Sequence, residues 1–284
     1  MGAVSRAVLV TGCSTGIGRE IASTLAARGM TVYATARRLA SIADLEQSGC
    51  RLLQLDVTDE ASATAAVETV AAEQGAVGVL VNNAGIQELG AVETVPLERM
   101  RALFETNLFG SIRMTQLVLP GMRAQRWGRI VNVGSMNGRW AMPGFAIYAA
   151  SKHALEAITD AVRYEQRPFG IGISLMQPGM VRTKLGHAAA AKRDASEADP
   201  VWADYNQRIA DVTLTWEDGP MGRLACSPQE VANAVRRAIE AGRPRTRYRV
   251  AASAGLTLGL RKVLPDRAFD AFLRTQFPSP RPPR

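Results

Sequence analysis

The feature that most restricts the fold is a short apolar run, Ala7-Val8-Leu9-Val10, which breaks at Thr11-Gly12 and leads through Gly16 and Gly18 into a helical stretch. A continuous run rich in β-branched residues reads as a strand buried on both faces, as a parallel sheet requires. Glycines let the backbone turn tightly and approach a pyrophosphate, and a helix N-terminus offers unpaired N–H groups at a positive dipole end. Further strand-like runs at Thr31–Ala36, Arg51–Leu55, Val77–Val81, Arg129–Val133 and Ile171–Met176, with Arg247–Val250 as the candidate seventh strand, alternate with helical stretches. That alternation predicts an α/β fold, doubly wound, with a parallel seven-stranded sheet and helices on both faces.

The length of 284 residues suits one domain with a C-terminal extension. A 47% hydrophobic and 21% charged composition describes an ordinary soluble globule. No apolar run approaches the roughly 20 residues needed to span a bilayer, and no basic-then-apolar leader precedes Ala7. The cytoplasm is therefore the expected location. Cys13, Cys50 and Cys226 are an odd, scattered set that reads as reduced thiols. His153 and His187 lack zinc-pair spacing, so no catalytic metal is expected. The net charge of +8 lies in the tail: residues 243–284 hold ten Lys/Arg against Asp266 and Asp270, leaving residues 1–242 balanced at 24 of each sign. A neutral body without a recognisable motif argues against nucleic acid as a partner.

The chemistry concentrates between Ser135 and Lys152. Tyr148 and Lys152 lie one helical turn apart, roughly 6 Å at Cβ. A free phenol has a pKa of about 10; an adjacent ammonium favours the phenolate and moves it toward use as an acid/base. Ser135 can supply the second donor to a polarised carbonyl oxygen. The second strand ends in Ala36 followed by Arg37 and Arg38, where an acid would hydrogen-bond the adenosine ribose of NAD. Two guanidinium groups instead suit a 2′-phosphate, which predicts NADP(H); the alternative is a solvated basic turn. Asp56 either borders the adenine or caps the next helix. Pro96 starts a long helix that carries Asn107, an intrinsically mediocre residue inside a helix.

Thr11-Gly12-Cys13-Ser14-Thr15-Gly16-Ile17-Gly18, Asn82-Asn83-Ala84-Gly85, Asn107, Ser135, Tyr148/Lys152 and Pro178-Gly179 occur in the order and spacing of the short-chain dehydrogenase/reductase family, which this chain resembles from about Ala7 to Thr183. The resemblance implies a Rossmann-type fold and a carbonyl reductase or alcohol dehydrogenase acting on a small-molecule carbonyl or alcohol substrate. It implies a catalytic set of Asn107, Ser135, Tyr148 and Lys152, in which Lys152 also holds the cofactor ribose and Asn107 holds a water that relays protons from Lys152. It implies cofactor contacts from Gly12, Ser14, Thr15, Gly16, Ile17, Gly18, Arg37, Arg38, Asp56, Val57, Asn82, Asn83, Ala84, Gly85, Tyr148, Lys152, Pro178, Gly179, Val181 and Thr183. Gly-x-x-x-Gly-x-Gly differs from the Gly-x-x-Gly-x-x-Gly of the extended epimerase relatives. The segments Val32–Arg37 and Pro168–Ile171, with the long C-terminus, look most like the hydroxysteroid and retinol dehydrogenase branch. That implies a bulky apolar substrate of steroid, retinoid or polyketide type. A non-catalytic NADP-binding regulator or scaffold is the alternative.

Residues 184–226 lose periodicity and read as a substrate lid, where Trp202, Tyr205, Trp216 and Met221 either line an apolar site or pack on two short helices. Ala149, Ala150, Ala154, Ala157 and Ala161 smooth one helix, which suits either a homodimer or homotetramer contact or packing within the subunit. Ser227-Pro228-Gln229-Glu230 is a capping box. The basic extension over 243–284, with amphipathic pieces broken at Pro265, closes over substrate, packs on a neighbour, or, as a minority reading, contacts an anionic membrane surface.

Overall fold

The computed structural model describes residues 3–191 and 201–281, and for Pro220 and Met221 the backbone alone. Seven strands, β1 (Val8–Val10), β2 (Val32–Ala36), β3 (Arg51–Gln54), β4 (Val79–Asn82), β5 (Gly128–Val133), β6 (Ile171–Pro178) and β7 (Arg247–Val250), form one sheet in the order β3-β2-β1-β4-β5-β6-β7. Every pairing is parallel. The strand order reverses between β1 and β4, and the carboxyl ends at that reversal are where an open α/β sheet leaves a crevice.

Strand alternation divides the core. On β1, Val8 and Val10 face one side with Val32, Ala34 and helices α1 (Gly16–Ala26) and α8 (Pro228–Glu240), whereas Leu9 faces the other with Tyr33, Leu80 and helices α2 (Glu60–Gln74) and α4 (Gly110–Ala124). The five inner strands are buried on both faces because both faces are covered, whereas the edge strands β3 and β7 are partly exposed. The capping box at Ser227 starts α8 as the sequence predicts, with the Ser227 hydroxyl accepting from Glu230 N and Glu230 accepting from Ser227 N.

A third apolar cluster lies beyond the sheet's carboxyl edge. Trp140, Met142 and Phe145, which precede helix α5 (Ala146–Gln166), pack with Tyr205 and Ile209 of α7 (Ala203–Thr215), Ala254 and Leu258 of α9 (Ala252–Val263), and Phe269 of α10 (Asp266–Gln276). The C-terminal segment is thus part of the molecule's body. Trp140 and Phe269 meet edge to face, ring centres 5.7 Å apart.

Two local features differ from the sequence reading. The long helix expected after Pro96 is α3 (Leu97–Phe104), a π-helical turn over Glu105–Phe109 and then α4, so Asn107 sits in the widened turn. Such bulges recur at functional sites. On α5, Ala149 is buried, while Ala150, Ala157 and Ala161 are exposed beside Ile158. Among the described residues no helix is long and apolar enough to cross a membrane.

Candidate active site

A cleft of about 800 Å³ opens at the carboxyl edge of the sheet. One end is the loop between β1 and α1. Gly12 and Gly16 hold φ of +73° and +60°, values that side chains rarely adopt. A Cβ on Gly12 would approach Ala84 Cα to 2.8 Å. The loop is fastened to the chain after β4: Asn83 Nδ2 donates to the Thr11 and Gly12 carbonyls at 2.9 and 3.1 Å, and the Thr11 hydroxyl accepts from Asn83 N and Ala84 N. Ser14, Thr15, Gly16 and Ile17 line the cleft, and the α1 N-terminus carries neither a side-chain cap nor an acid in its first turn. Unpaired N–H groups and a glycine cradle suit a pyrophosphate. A dinucleotide fits the residues present.

The cleft continues along Arg37, at the end of β2, to Asp56 and Val57 after β3. Asp56 does not cap α2; its carboxylate accepts from Thr58 N and Oγ1, and Asp59 caps the helix instead. On the opposite wall, Pro178, Gly179, Val181 and Thr183 leave the end of β6. Ala251 enters α9 with φ +82°, which brings Ser253 Oγ to accept from Met180 N at 3.0 Å. The same hydroxyl would lie 2.3 Å from a Cβ on Gly179, so glycine is needed there for a close approach.

At the centre, β5 ends in Ser135 and α5 presents Tyr148 and Lys152 to the cleft. Tyr148 is buried, and its phenol is hydrogen-bonded with Ser135 and Gln87. Burial pushes the phenol above its ordinary 10.0, while both hydrogen bonds act in the opposite sense. The expected depression by Lys152 is therefore reversed here. The ammonium lies 5.7 Å from the Tyr148 ring centre and donates to the Val133 carbonyl at 2.9 Å. Burial lowers the Lys152 pKa from 10.5 to about 8, because a desolvated ammonium is disfavoured.

Asn107 is fully buried and does not reach the cleft wall. Its Oδ1 accepts from Ile86 N at 2.8 Å, and its Nδ2 donates to Ile86 O at 2.9 Å and Ser151 Oγ at 3.2 Å. It clamps the loop after β4 onto α5, and its amide is committed to those partners rather than to Lys152. Three expected cofactor contacts also differ. Gly18 is off the cleft, where a Cβ would strike Asn83 Nδ2 at 2.2 Å, so it serves helix-to-loop packing. Asn82 is buried, donating to Ser111 O, Thr115 Oγ1 and Asn132 Oδ1 as sheet scaffold. Arg38 turns into the following 3-10 segment and is not on the cleft wall.

In the lid segment, helix α6 (Leu185–Ala191) contributes Leu185, and Trp216 also reaches the cleft. Trp202 and Tyr205 pack against each other edge to face, and Trp202 Nε1 donates to Glu93 at 2.7 Å. The Met221 side chain lies outside the described residues. Sequence reasoning missed Gln87, two positions past Asn-Asn-Ala-Gly, and the cleft residues Trp140, Phe272, Gln276 and Phe277. The first had its neighbouring motif as a signal; the others come together only through the α10 packing.

The match to known proteins agrees with this geometry. Residues 6–194 match the family described as short chain dehydrogenase. The chain is 34% identical over 265 residues to mitochondrial D-beta-hydroxybutyrate dehydrogenase of Rattus norvegicus, covering 87% of this chain and 77% of that one. It is 33% identical over 303 aligned positions to 11-beta-hydroxysteroid dehydrogenase type 2 of Oryctolagus cuniculus, covering 99% of this chain and 72% of the other. A short-chain dehydrogenase structure from Streptomyces avermitilis superposes with a TM-score of 0.78 at 31% identity, over 95% of this chain and 96% of its own. With a glycine cradle at one end of the cleft and a serine, tyrosine and lysine at its centre, the chain belongs to the short-chain dehydrogenase/reductase family of oxidoreductases.

Proposed function

We propose that this protein is an NADP(H)-dependent oxidoreductase that interconverts a ketone and a secondary alcohol on a bulky, uncharged, apolar substrate. One observation carries the substrate class. Among the described residues, the charged ones on the cleft are Arg37, Asp56, Glu105 and Lys152, and none stands on the wall formed by Trp140, Met142, Phe145, Ile209, Trp216, Phe272 and Phe277. A carboxylate there would be desolvated without a cation to pair with. The reading therefore follows the hydroxysteroid relative rather than the hydroxybutyrate one.

Bound nicotinamide supplies or accepts a hydride at the carbinol carbon. Ser135 orients the substrate oxygen, and Tyr148 gives that oxygen a proton during reduction or takes one during oxidation. Gln87 shares the phenol and holds it toward Ser135. Lys152 keeps a positive charge beneath the site and holds ribose hydroxyls. Asn107 acts by positioning the loop and α5. Gly12, Ser14, Thr15, Gly16 and Ile17 hold the pyrophosphate, Asp56 and Val57 border the adenine, and Arg37 takes the 2′-phosphate that distinguishes NADP from NAD. Asn83, Ala84, Gly85, Pro178, Gly179, Val181 and Thr183 flank the ribose and nicotinamide. Residues 184–191 and 201–226, with α10, close the substrate half of one domain. The exposed small-residue strip of α5 supports assembly as a homodimer or homotetramer.

A panel of neutral and carboxylated ketones, read by NADPH and NADH absorbance, tests this. NADPH is expected to give the higher kcat/KM, by roughly tenfold or more for loss of one charge-assisted contact, and neutral bulky ketones to exceed keto acids. A preference for NADH would refute the role of Arg37. A preference for keto acids would refute the substrate class.

A further inference from the structure

A second concavity, of about 640 Å³, lies at the other end of β7 from the cleft and shares no lining residue with it. It is walled by Arg237 at the end of α8, Arg243 and Arg245 in the connection, and Arg247, Tyr248 and Arg249 on β7. No carboxylate lines it. Arg247 is neutralised by Glu156 and Asp160 at 2.8 and 2.5 Å, and the nearby Glu240 is taken by Arg236 at 2.5 Å. Among the described residues, Arg237, Arg243, Arg245 and Arg249 form no ion pair.

The connection that carries these cations is braced. Ser174 Oγ donates to Arg245 O at 2.7 Å, Leu175 N donates to Thr246 O at 2.9 Å, and Arg245 N donates to Tyr248 Oη at 3.1 Å. Beneath the lip lies Arg129, only 8% exposed, whose guanidinium donates to the Ala241 and Gly242 carbonyls and pairs with no carboxylate. Its Nε has no partner at all. The Arg129 charge is met by the Gly128, Ala241 and Gly242 carbonyls and the Trp127 ring rather than by a carboxylate, so it adds to the positive field of the unpaired guanidinium groups nearby. The positive field is local, since residues 1–242 are balanced in charge and four of the ten basic residues of the tail fall between 243 and 249.

We propose that this groove is a binding site for a ligand bearing two or more phosphoryl groups. Guanidinium forks match phosphate oxygens in pairs, and unpaired arginines from a helix end, a loop and a strand that line one concavity suit a polyanion better than a single carboxylate. The same charges oppose edge-to-edge docking of a second copy on β7, because a two-fold contact would set each guanidinium against its own kind. The chemistry is shared by a soluble polyphosphorylated metabolite and a lipid headgroup.

Titration of the full chain with inorganic tripolyphosphate by calorimetry tests the site at low and moderate salt. Binding is expected, weaker at higher salt, and reduced roughly 100-fold in Arg243→Ser/Arg245→Ser/Arg249→Ser. Turnover and thermal unfolding of that variant should match the parent, because these side chains lie outside the cleft. Arg37→Ser serves as the control for the cleft: unchanged tripolyphosphate binding supports the groove, whereas loss of binding there, with the triple variant unaffected, overturns it. Sedimentation with phosphatidylcholine vesicles, with and without phosphatidylinositol bisphosphate, whose headgroup carries more than one phosphoryl group, separates the sources. Arginine-dependent capture by the acidic vesicles identifies a headgroup site, and tripolyphosphate binding without capture identifies a soluble ligand. Absence of both overturns the proposal whatever the cofactor of the cleft proves to be.

Discussion

Lys152→Met separates the energetic penalty of the proposed site from its use. The buried ammonium binds its proton less tightly in the fold than in the unfolded chain, with a pKa of about 8 against 10.5. At pH 7 both states are charged, and holding that charge inside costs about 3 kcal/mol by linkage. Methionine removes the charge at similar length. It also forfeits the 2.9 Å bond from Nζ to the Val133 carbonyl, worth about 1 kcal/mol net. The variant should therefore be more stable than the parent by about 2 kcal/mol at pH 7, measured by urea unfolding. Between pH 8 and 10.5 the unfolded chain binds more protons than the folded one, so parental stability rises with pH through that window. At pH 9.5 the advantage of the variant should have shrunk by about 2 kcal/mol, close to zero. Turnover should fall by roughly 100-fold or more at either pH. A variant less stable than the parent by the same amount at both pH values would refute the claim that burial governs this lysine.

Tyr148→Phe should lower kcat by roughly 1,000-fold or more, by loss of the proton donor, while NADPH affinity measured by fluorescence changes little. Phe272→Ala should widen the substrate wall and raise kcat/KM for the bulkiest neutral ketones relative to small ones, with the cofactor KM unmoved; a uniform loss across all ketones would place Phe272 outside substrate selection. Arg247→Met removes the closer ion pair of Glu156, only 5% exposed, and leaves it the longer contact to Arg139 at 3.8 Å; it should cost about 3 kcal/mol in unfolding free energy. The further substitution Glu156→Gln should recover much of that loss, because it removes the stranded charge.

The sequence by itself determined the elements and their order. Continuous apolar runs are poorly solvated, so Val8–Val10 and the runs that became β2, β4, β5 and β6 had to become strands covered on both faces, while β3 and β7, with polar residues and partial exposure, form the sheet's edges. Gly12 and Gly16 announced a turn because their backbone conformations are closed to other residues. The positions of Ser135, Tyr148 and Lys152 at the carboxyl edge followed from strand ends and helical spacing. Tertiary structure alone decided what surrounds them. Whether Lys152 charges the phenol or turns to the Val133 carbonyl depends on burial and on a neighbouring strand, which spacing along one helix does not encode. Gly18, Asn82 and Asn107 belong to the family's motifs, yet their side-chain or backbone contacts hold loops and helices together rather than facing the cleft. The apolar wall from Trp140 to Phe277 is brought together by packing between segments far apart in the chain. Contacts of that kind depend on where whole elements come to rest, and no local pattern of residues specifies them.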